Sequence, residues 1–88
     1  MIEKDIIVVN RLGLHARPSA KLVQTASRFK AEVSIIRGDL TVNGKSILGV
    51  MMLAAELGAV LRFRIDGPDE QESLAAIEKV FADKFGES

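Results

Sequence analysis

Apolar residues recur along the chain with two different spacings, which predict strands and helices respectively. Residues 6–9 form a continuous apolar run, which predicts a strand with both faces at least partly covered. Residues 61–65 alternate between apolar and arginine side chains, which predicts a strand with one face buried and the other in water. Two short apolar runs flank Gly38-Asp39 and predict a hairpin over residues 32–43. The predicted strands are residues 3–10, 33–36, 40–42 and 61–65.

Three further segments predict helices, because their apolar residues share one face at helical spacing. The first covers residues 16–30, with Phe29 expected in the core. The second is short, over residues 47–53, and Ser46 is placed to act as its N-cap. The third covers residues 68–85, with acidic residues in its first turns where the helix dipole favours them. The expected core positions of the helices are Leu22, Val23, Ala26, Phe29, Val50, Leu53, Leu74, Ile77, Phe81 and Phe85.

The element order β-α-β-β-α-β-α predicts the α+β class. Each helix has an apolar side that must be buried, so the helices are expected to cover one face of a small sheet. The prediction is an open-faced β-sandwich with a four-stranded, largely antiparallel sheet covered on one face by three helices. No linker or repeat divides the 88 residues, so we expect one domain over residues 1–88.

Composition excludes several kinds of site. The chain has no cysteine and one histidine, which excludes disulfides and thiolate metal sites and argues against structural zinc. We expect neither a metal nor a cofactor. The N-terminal residues 1–5 are charged, and no apolar run approaches the length of a membrane span, so a cytoplasmic protein is expected.

Charge is unevenly distributed although the net charge is zero. Residues 1–45 hold eight Lys or Arg and four Asp or Glu, and the remaining residues hold the reverse. The basic half contains the histidine, which favours an anionic partner or ligand there. It is too weakly basic for a duplex nucleic-acid binder, and without Tyr or Trp an RNA-binding sheet is not expected. Gly44-Lys45-Ser46 is not a P-loop, because position 39 is Asp rather than Gly.

His15 falls where the first strand passes to the first helix. Pro18 suits the first turn of a helix, so His15 or Ala16 is expected near the N-cap. Free N–H groups and the helix dipole favour an anion at this point, and the planar guanidinium of Arg17 suits phosphate or carboxylate. These positive neighbours favour a neutral imidazole with a ring nitrogen free to attack or bind. The residues alone leave another interpretation open, in which the histidine is partly buried and only caps the helix, or is exposed to solvent and has no role.

The predicted helix 47–53 is apolar on nearly all sides. Val50 and Leu53 are expected to face the core, which leaves more apolar residues than one buried face needs. The surplus is expected to form an exposed docking patch, although burial of the whole segment is the alternative. The residues of this expected patch are Ile47, Leu48 and Met51.

Three segments share a pattern with one known family. Residues 13–18 read Gly-Leu-His-Ala-Arg-Pro, residues 22–27 read Leu-Val-Gln-Thr-Ala-Ser, and residues 45–51 read Lys-Ser-Ile-Leu-Gly-Val-Met. They resemble the phosphohistidine signature, the first helix and the serine-site segment of the HPr phosphocarriers. These proteins belong to the bacterial phosphoenolpyruvate-dependent phosphotransferase system and include the nitrogen-related NPr branch. The resemblance runs from end to end.

The resemblance implies that His15 accepts a phosphoryl group on Nδ1 from enzyme I and passes it to an enzyme IIA domain, while Arg17 steadies the group. It also implies that Ser46 is the site at which a bifunctional HPr kinase/phosphorylase modifies some members and lowers transfer. Such a protein is a stoichiometric carrier rather than a turnover enzyme. The docking residues that the resemblance and the helical patterns imply are Ala16, Ala20, Lys21, Gln24, Ile47, Leu48 and Met51.

Two other classes remain open from the residues alone. An acylphosphatase-like hydrolase could use Arg17 as a phosphate clamp, and it would release phosphate catalytically. A ligand-binding module of similar α+β type would bind without any chemistry at His15. A monomer is expected, because a shuttle must expose one face to several partners, and neither nucleic acid nor a membrane is expected among them.

Overall fold

The elements follow one another in the predicted order in the computed structural model of the chain, which describes residues 1–87. This part of the chain contains four strands, three α-helices and one short 3₁₀ turn. Their bounds are β1 Ile2–Ile7, α1 Ala16–Ser27, β2 Glu32–Arg37, β3 Leu40–Asn43, α2 Ile47–Met52, β4 Val60–Asp66, α3 Glu70–Ala82 and the 3₁₀ turn Lys84–Gly86.

The four strands form one antiparallel sheet in the order β1-β4-β2-β3. In the central strand β4, the side chains alternate between the buried core and water, as predicted. On its open face Arg62 lies opposite Asp5 and Arg64 lies opposite Glu3, with N–O distances of 3.0 and 2.9 Å. The helices cover the other face, so the predicted open-faced α+β sandwich is confirmed.

The core lies between the sheet and the three helices. Leu22 and Ala26 from α1, Val50 from α2 and Ile77 from α3 are fully buried in it. The ring of Phe81 meets Phe63 edge-on, with centroids 5.7 Å apart, and meets Phe85 at 4.9 Å. Aromatic rings packed edge-to-face add to the stabilisation that their burial supplies. Phe85 reaches this position from the 3₁₀ turn, where its φ is +55°.

The two faces of the first strand are covered unequally, although the apolar run predicts at least partial cover of both. Ile6 and Val8 are buried, but Ile7 is 53% exposed and Val9 is 39% exposed. Side chains of a strand point alternately to the two faces of the sheet, and here the helices cover only one of them. In this unbroken apolar run, every second side chain is therefore exposed to water.

The expectation that Phe29 belongs to the core is wrong. Helix α1 ends at Ser27, and the next two N–H groups bond three residues back, to the carbonyl oxygens of Thr25 and Ala26. This tighter turn takes Phe29 off the buried face of the helix. Its ring is half-buried at the surface, with the Arg28 guanidinium 5.5 Å from its centroid.

The last helix begins at Glu70, two residues later than predicted. Asp69 precedes it, and its carboxylate accepts hydrogen bonds from the N–H groups of Lys30 and Ala31, both at 2.9 Å. These bonds join the start of α3 to the loop between α1 and β2. None of the helices found in residues 1–87 combines the length and the apolar character needed to cross a membrane.

Candidate functional site

His15 is the N-cap of α1, as predicted. Its backbone is extended, with φ −77° and ψ −169°, and its carbonyl oxygen accepts from Ser19 N at 3.0 Å. Its side chain makes no capping hydrogen bond and is 41% exposed. The imidazole is therefore not used to cap the helix and remains available for chemistry.

The first turn of α1 leaves two backbone donors free directly after His15. Ala16 and Arg17 lie too early in the helix for intrahelical bonds, and their N–H groups meet no backbone acceptor in residues 1–87. Pro18 is buried in the same turn and has no N–H to satisfy. Two N–H groups and the positive end of the helix dipole thus favour an anion next to His15.

Arg17 supplies a side-chain charge at the same helix end. Arg17 is exposed, and its guanidinium takes part in no hydrogen bond or ion pair with any group in residues 1–87. A guanidinium without a partner in the folded chain can bind an anionic oxygen without first breaking another contact. The structure therefore gathers His15, Arg17 and the free donors at one end of α1.

The ring has a partner that the sequence did not reveal. Oε1 of Glu87 lies 3.2 Å from Nε2 of His15 and 3.4 Å from Nδ2 of Asn10. A neutral imidazole that donates from Nε2 to this carboxylate keeps its lone pair on Nδ1. The arrangement therefore favours Nδ1 as the atom that attacks or binds.

Asn10 is fully buried and also donates to the carbonyl oxygen of Gly13 at 2.6 Å. An asparagine that follows a strand and precedes a glycine by three residues is typical of a turn. The role of Asn10 in the loop could therefore have been predicted from the sequence. Nothing in the sequence links Glu87 to His15, because the two positions are 72 residues apart.

The loop before α1 rests on the segment that follows α2. Leu14 donates its N–H to the carbonyl oxygen of Ala55 at 2.8 Å, and its side chain is buried. Gly13 has φ +71°, and a Cβ added there would fall on that same carbonyl oxygen. Only glycine suits this close backbone contact, so Gly13 allows the loop to hold His15 at its position.

Ser46 is the N-cap of α2, as predicted. Its hydroxyl oxygen accepts a hydrogen bond from Gly49 N at 3.0 Å, and the residue is partly buried. A serine oxygen in this position satisfies one of the donors that a helix start leaves free.

The apolar surplus of α2 is exposed, so the alternative in which the whole segment is buried is wrong. Val50 and Leu53 are buried as expected, while Leu48 is 72% exposed. Met52 is exposed as well, which the spacing did not predict. The α2 residues predicted to form the patch, all exposed in the structure, are Ile47, Leu48 and Met51.

Helix α1 packs beside α2 and contributes the remaining predicted docking residues. Ala16 and Gln24 are exposed, and Ala20 is partly buried. Lys21 is exposed as a residue, but its ammonium donates to the carbonyl oxygen of Phe85 at 3.1 Å. That bond ties α1 to the same C-terminal segment that carries the carboxylate beside His15. Within residues 1–87, no three His, Cys, Asp or Glu side chains gather closely enough to hold a metal ion.

Known proteins resemble this chain over nearly its whole length. The family model for the PTS HPr component phosphorylation site matches residues 2–83. The phosphocarrier protein HPr of Xylella fastidiosa (strain 9a5c) is 49% identical over 87 residues, which cover 99% of this chain and 98% of that protein.

Solved structures agree with this likeness. The crystal structure of HPr from Thermoanaerobacter tengcongensis matches with a TM-score of 0.95 at 41% identity, and the match covers 100% of this chain and 99% of that one. The Bacillus subtilis protein Crh, whose crystal structure is described as a domain-swapped dimer, matches with a TM-score of 0.72 at 35% identity, covering 100% and 98%. The chain belongs to the HPr phosphocarrier family.

Proposed function

We propose that this chain carries phosphoryl groups on Nδ1 of His15, which it receives from phospho-enzyme I and passes to an enzyme IIA domain. The observation that supports this proposal most directly is the 3.2 Å contact between Nε2 of His15 and the Glu87 carboxylate. A neutral ring that donates from Nε2 to this carboxylate has its lone pair on Nδ1. The free N–H groups of Ala16 and Arg17 directly follow His15 at the start of α1.

In the proposed transfer, the Nδ1 lone pair attacks the phosphorus atom of the donor. The bond between phosphorus and the donor breaks as the bond between phosphorus and Nδ1 forms, and the donor leaves with its electron pair. The N–H groups of Ala16 and Arg17, together with the Arg17 guanidinium, stabilise the charge on the phosphoryl oxygens. The ring retains its proton on Nε2 and becomes cationic, and the Glu87 carboxylate pairs with that charge. Transfer to the acceptor reverses these steps.

The chain acts in this proposal as a stoichiometric carrier and as one domain over residues 1–88. The relatives are named phosphocarrier proteins, which supports a carrier rather than a hydrolase. A carrier takes up one phosphoryl group and keeps it until an acceptor binds, whereas a hydrolase releases phosphate repeatedly. We place this activity in the cytoplasm.

The proposed docking face combines the exposed side of α1 with α2. Its exposed apolar side chains lie on α2, which packs beside α1, and exposed methionine adapts to partners of different shape. Enzyme I and the IIA domains are its proposed partners, and the carrier works as a monomer so that this face stays free. Because the related protein Crh forms a swapped dimer, the proposed monomer is tested by measuring the mass of this protein in solution. The proposed docking residues are Ala16, Ala20, Lys21, Gln24, Ile47, Leu48 and Met51.

Ser46 is proposed as a regulatory site for an HPr kinase/phosphorylase. Its hydroxyl lies at the start of the exposed helix α2, so a phosphate there would place about −1.5 to −2 charges within the docking face. An acidic partner would then be repelled, and transfer through His15 would slow.

The decisive experiment incubates the protein with enzyme I and phosphoenolpyruvate and follows its intact mass. We expect one added phosphoryl group, labile to acid and stable to alkali as a phosphoramidate is, and none on the variant His15→Ala. Phosphorylation of His15→Ala, or continuous release of inorganic phosphate without an acceptor, would contradict the proposal.

A further inference from the structure

Arg37 ends β2, and its guanidinium spans the segment 53–56 that follows α2. Nη1 donates to the carbonyl oxygens of Leu53 at 3.2 Å and of Ala54 at 3.0 Å. Nη2 lies 2.6 Å from Oε1 of Glu56. One planar side chain anchored in the sheet therefore holds three groups of a short connecting segment at once.

The segment 53–56 has a backbone conformation that needs such support. Ala54 has φ +47°, a left-handed conformation that residues with a Cβ rarely adopt. A conformation of this kind persists only where surrounding contacts hold it, and the Arg37 bond to the Ala54 carbonyl is one of them. The pKa of Glu56 is lowered, first by a hydrogen bond from its own N–H and then by Arg37, so its carboxylate stays charged at neutral pH.

The other side of the same segment bears on the loop that carries the histidine. The Ala55 carbonyl oxygen accepts from Leu14 N at 2.8 Å, and the backbone of Gly13 lies too close to residues 55–56 for any Cβ. Arg37 thus binds the residues on either side of Ala55, while Ala55 itself binds the residue immediately before His15.

We propose that Arg37 is a positioning residue for His15. It forms no hydrogen bond or ion pair with the imidazole and acts through the segment 53–56. Its bonds hold that segment in the conformation that contacts Gly13 and Leu14. Its kinetic consequence rests on the proposed phosphoryl transfer, whereas its structural consequence is independent of that function.

The structural consequence is tested on the isolated, unphosphorylated protein. Amide hydrogen exchange at Leu14 is compared with exchange at Phe63, which is buried in the central strand β4, in wild type and in Arg37→Ala. We expect exchange at Leu14 to quicken about tenfold, because its acceptor carbonyl loses its support, while exchange at Phe63 is unchanged. The matched control is Arg64→Ala, which removes an ion pair of similar length on the open face of the sheet.

The kinetic consequence is tested with enzyme I and phosphoenolpyruvate. We expect the maximal rate of His15 phosphorylation to fall about tenfold in Arg37→Ala, because small displacements of a reacting group are costly. The concentration of carrier that gives half the maximal rate should not change, since the proposed docking face does not include Arg37. Arg37→Lys should recover part of the rate, because an ammonium can bond some but not all of the three acceptors.

Two results would overturn the inference. One is a parallel rise of exchange at Leu14 and Phe63, which would mean a general loss of stability. The other is transfer at the wild-type rate in Arg37→Ala. If wild type itself accepts no phosphoryl group on His15, the proposed function fails, and the exchange experiment still decides whether Arg37 positions the loop.

Discussion

Oε1 of Glu87 lies 3.2 Å from Nε2 of His15, so a carboxylate from the C-terminal segment completes the surroundings of a ring near the N-terminus. The Lys21 ammonium holds that segment from the other side through the Phe85 carbonyl. The contact occupies Nε2, and Nδ1 takes part in no hydrogen bond found within residues 1–87.

Replacing Glu87 should change the tautomer of His15. In Glu87→Ala the ring loses the acceptor that favours a proton on Nε2, so we expect a mixture of tautomers and phosphoryl transfer slowed several-fold. Glu87→Gln keeps an acceptor oxygen and should retain the tautomer, but it cannot pair with the charged phosphorylated ring. Nitrogen-15 chemical shifts of the imidazole separate the two effects. An unchanged ring spectrum in Glu87→Ala would show that the carboxylate has no influence on His15.

Arg17→Ala should slow transfer without weakening the fold. The guanidinium has no partner in residues 1–87, so its removal breaks no contact there, whereas charge-assisted hydrogen bonds to phosphoryl oxygens typically contribute about 1.5–3 kcal/mol. We expect a fall in rate of at least about tenfold, since 1.4 kcal/mol corresponds to that factor, and an unchanged melting temperature. Rapid-quench phosphorylation and thermal unfolding are the measurements, with Arg64→Ala as the control for loss of a positive charge. A lower melting temperature with normal transfer would make Arg17 a structural residue.

Ser46→Asp should reduce phosphorylation of His15 at low salt. Aspartate is also a good N-cap, so α2 should remain folded, and the added charge in the proposed docking face should repel an acidic partner. Raising the salt concentration should reduce the difference from wild type, because exposed charges are then screened. Ser46→Ala is the matched control, since it loses the cap without adding charge. Equal rates for wild type and Ser46→Asp at low salt would leave Ser46 as a helix cap only.

Gly13→Ala should destabilise the protein more than Gly38→Ala does. Both glycines have positive φ, +71° and +59°, and alanine in that region costs about 1–2 kcal/mol. At Gly38 the added methyl group meets open space, whereas at Gly13 it meets the backbone of Ala55 and Glu56. We therefore expect urea unfolding to give a loss near that range for Gly38→Ala and a larger one for Gly13→Ala. Equal losses would mean that the loop before His15 can move away from Ala55 and Glu56 with no further loss of stability.

Asp69 should make stability depend on acid pH. Hydrogen bonds from the N–H groups of Lys30 and Ala31 lower its pKa from the ordinary value of 3.8. A carboxyl whose pKa is lower in the folded state stabilises the fold above its unfolded pKa, and this stabilisation is lost as pH falls through the folded pKa.

Asp69→Asn should therefore be less stable than wild type at neutral pH, and the difference should shrink below about pH 3.8. Unfolding free energies measured across this range test the expectation. Glu72→Gln serves as the control, because Glu72 is exposed and forms no hydrogen bond within residues 1–87. A difference that stays constant with pH would mean that the charge of Asp69 is irrelevant.

Features that depend on neighbours within a few positions can be predicted from the sequence alone. The alternation in residues 61–65, the placement of His15 and Ser46 at helix starts, and the apolar surplus of α2 all follow from local spacing and capping, and the structure has each of them. The end-to-end family resemblance likewise rests on contiguous motifs, and the comparisons confirm it.

Which groups face each other across the fold depends on how the distant elements pack. Whether Ile7 is buried depends on whether a helix covers its face of the sheet, and no residue near Ile7 carries that information. Phe29 leaves the core because α1 tightens and ends before it. The contacts of Glu87 with His15 and of Arg37 with the segment 53–56 join distant parts of the chain. Such contacts depend on how the sheet and the helices pack, and local sequence preferences do not encode which distant side chains that packing brings together.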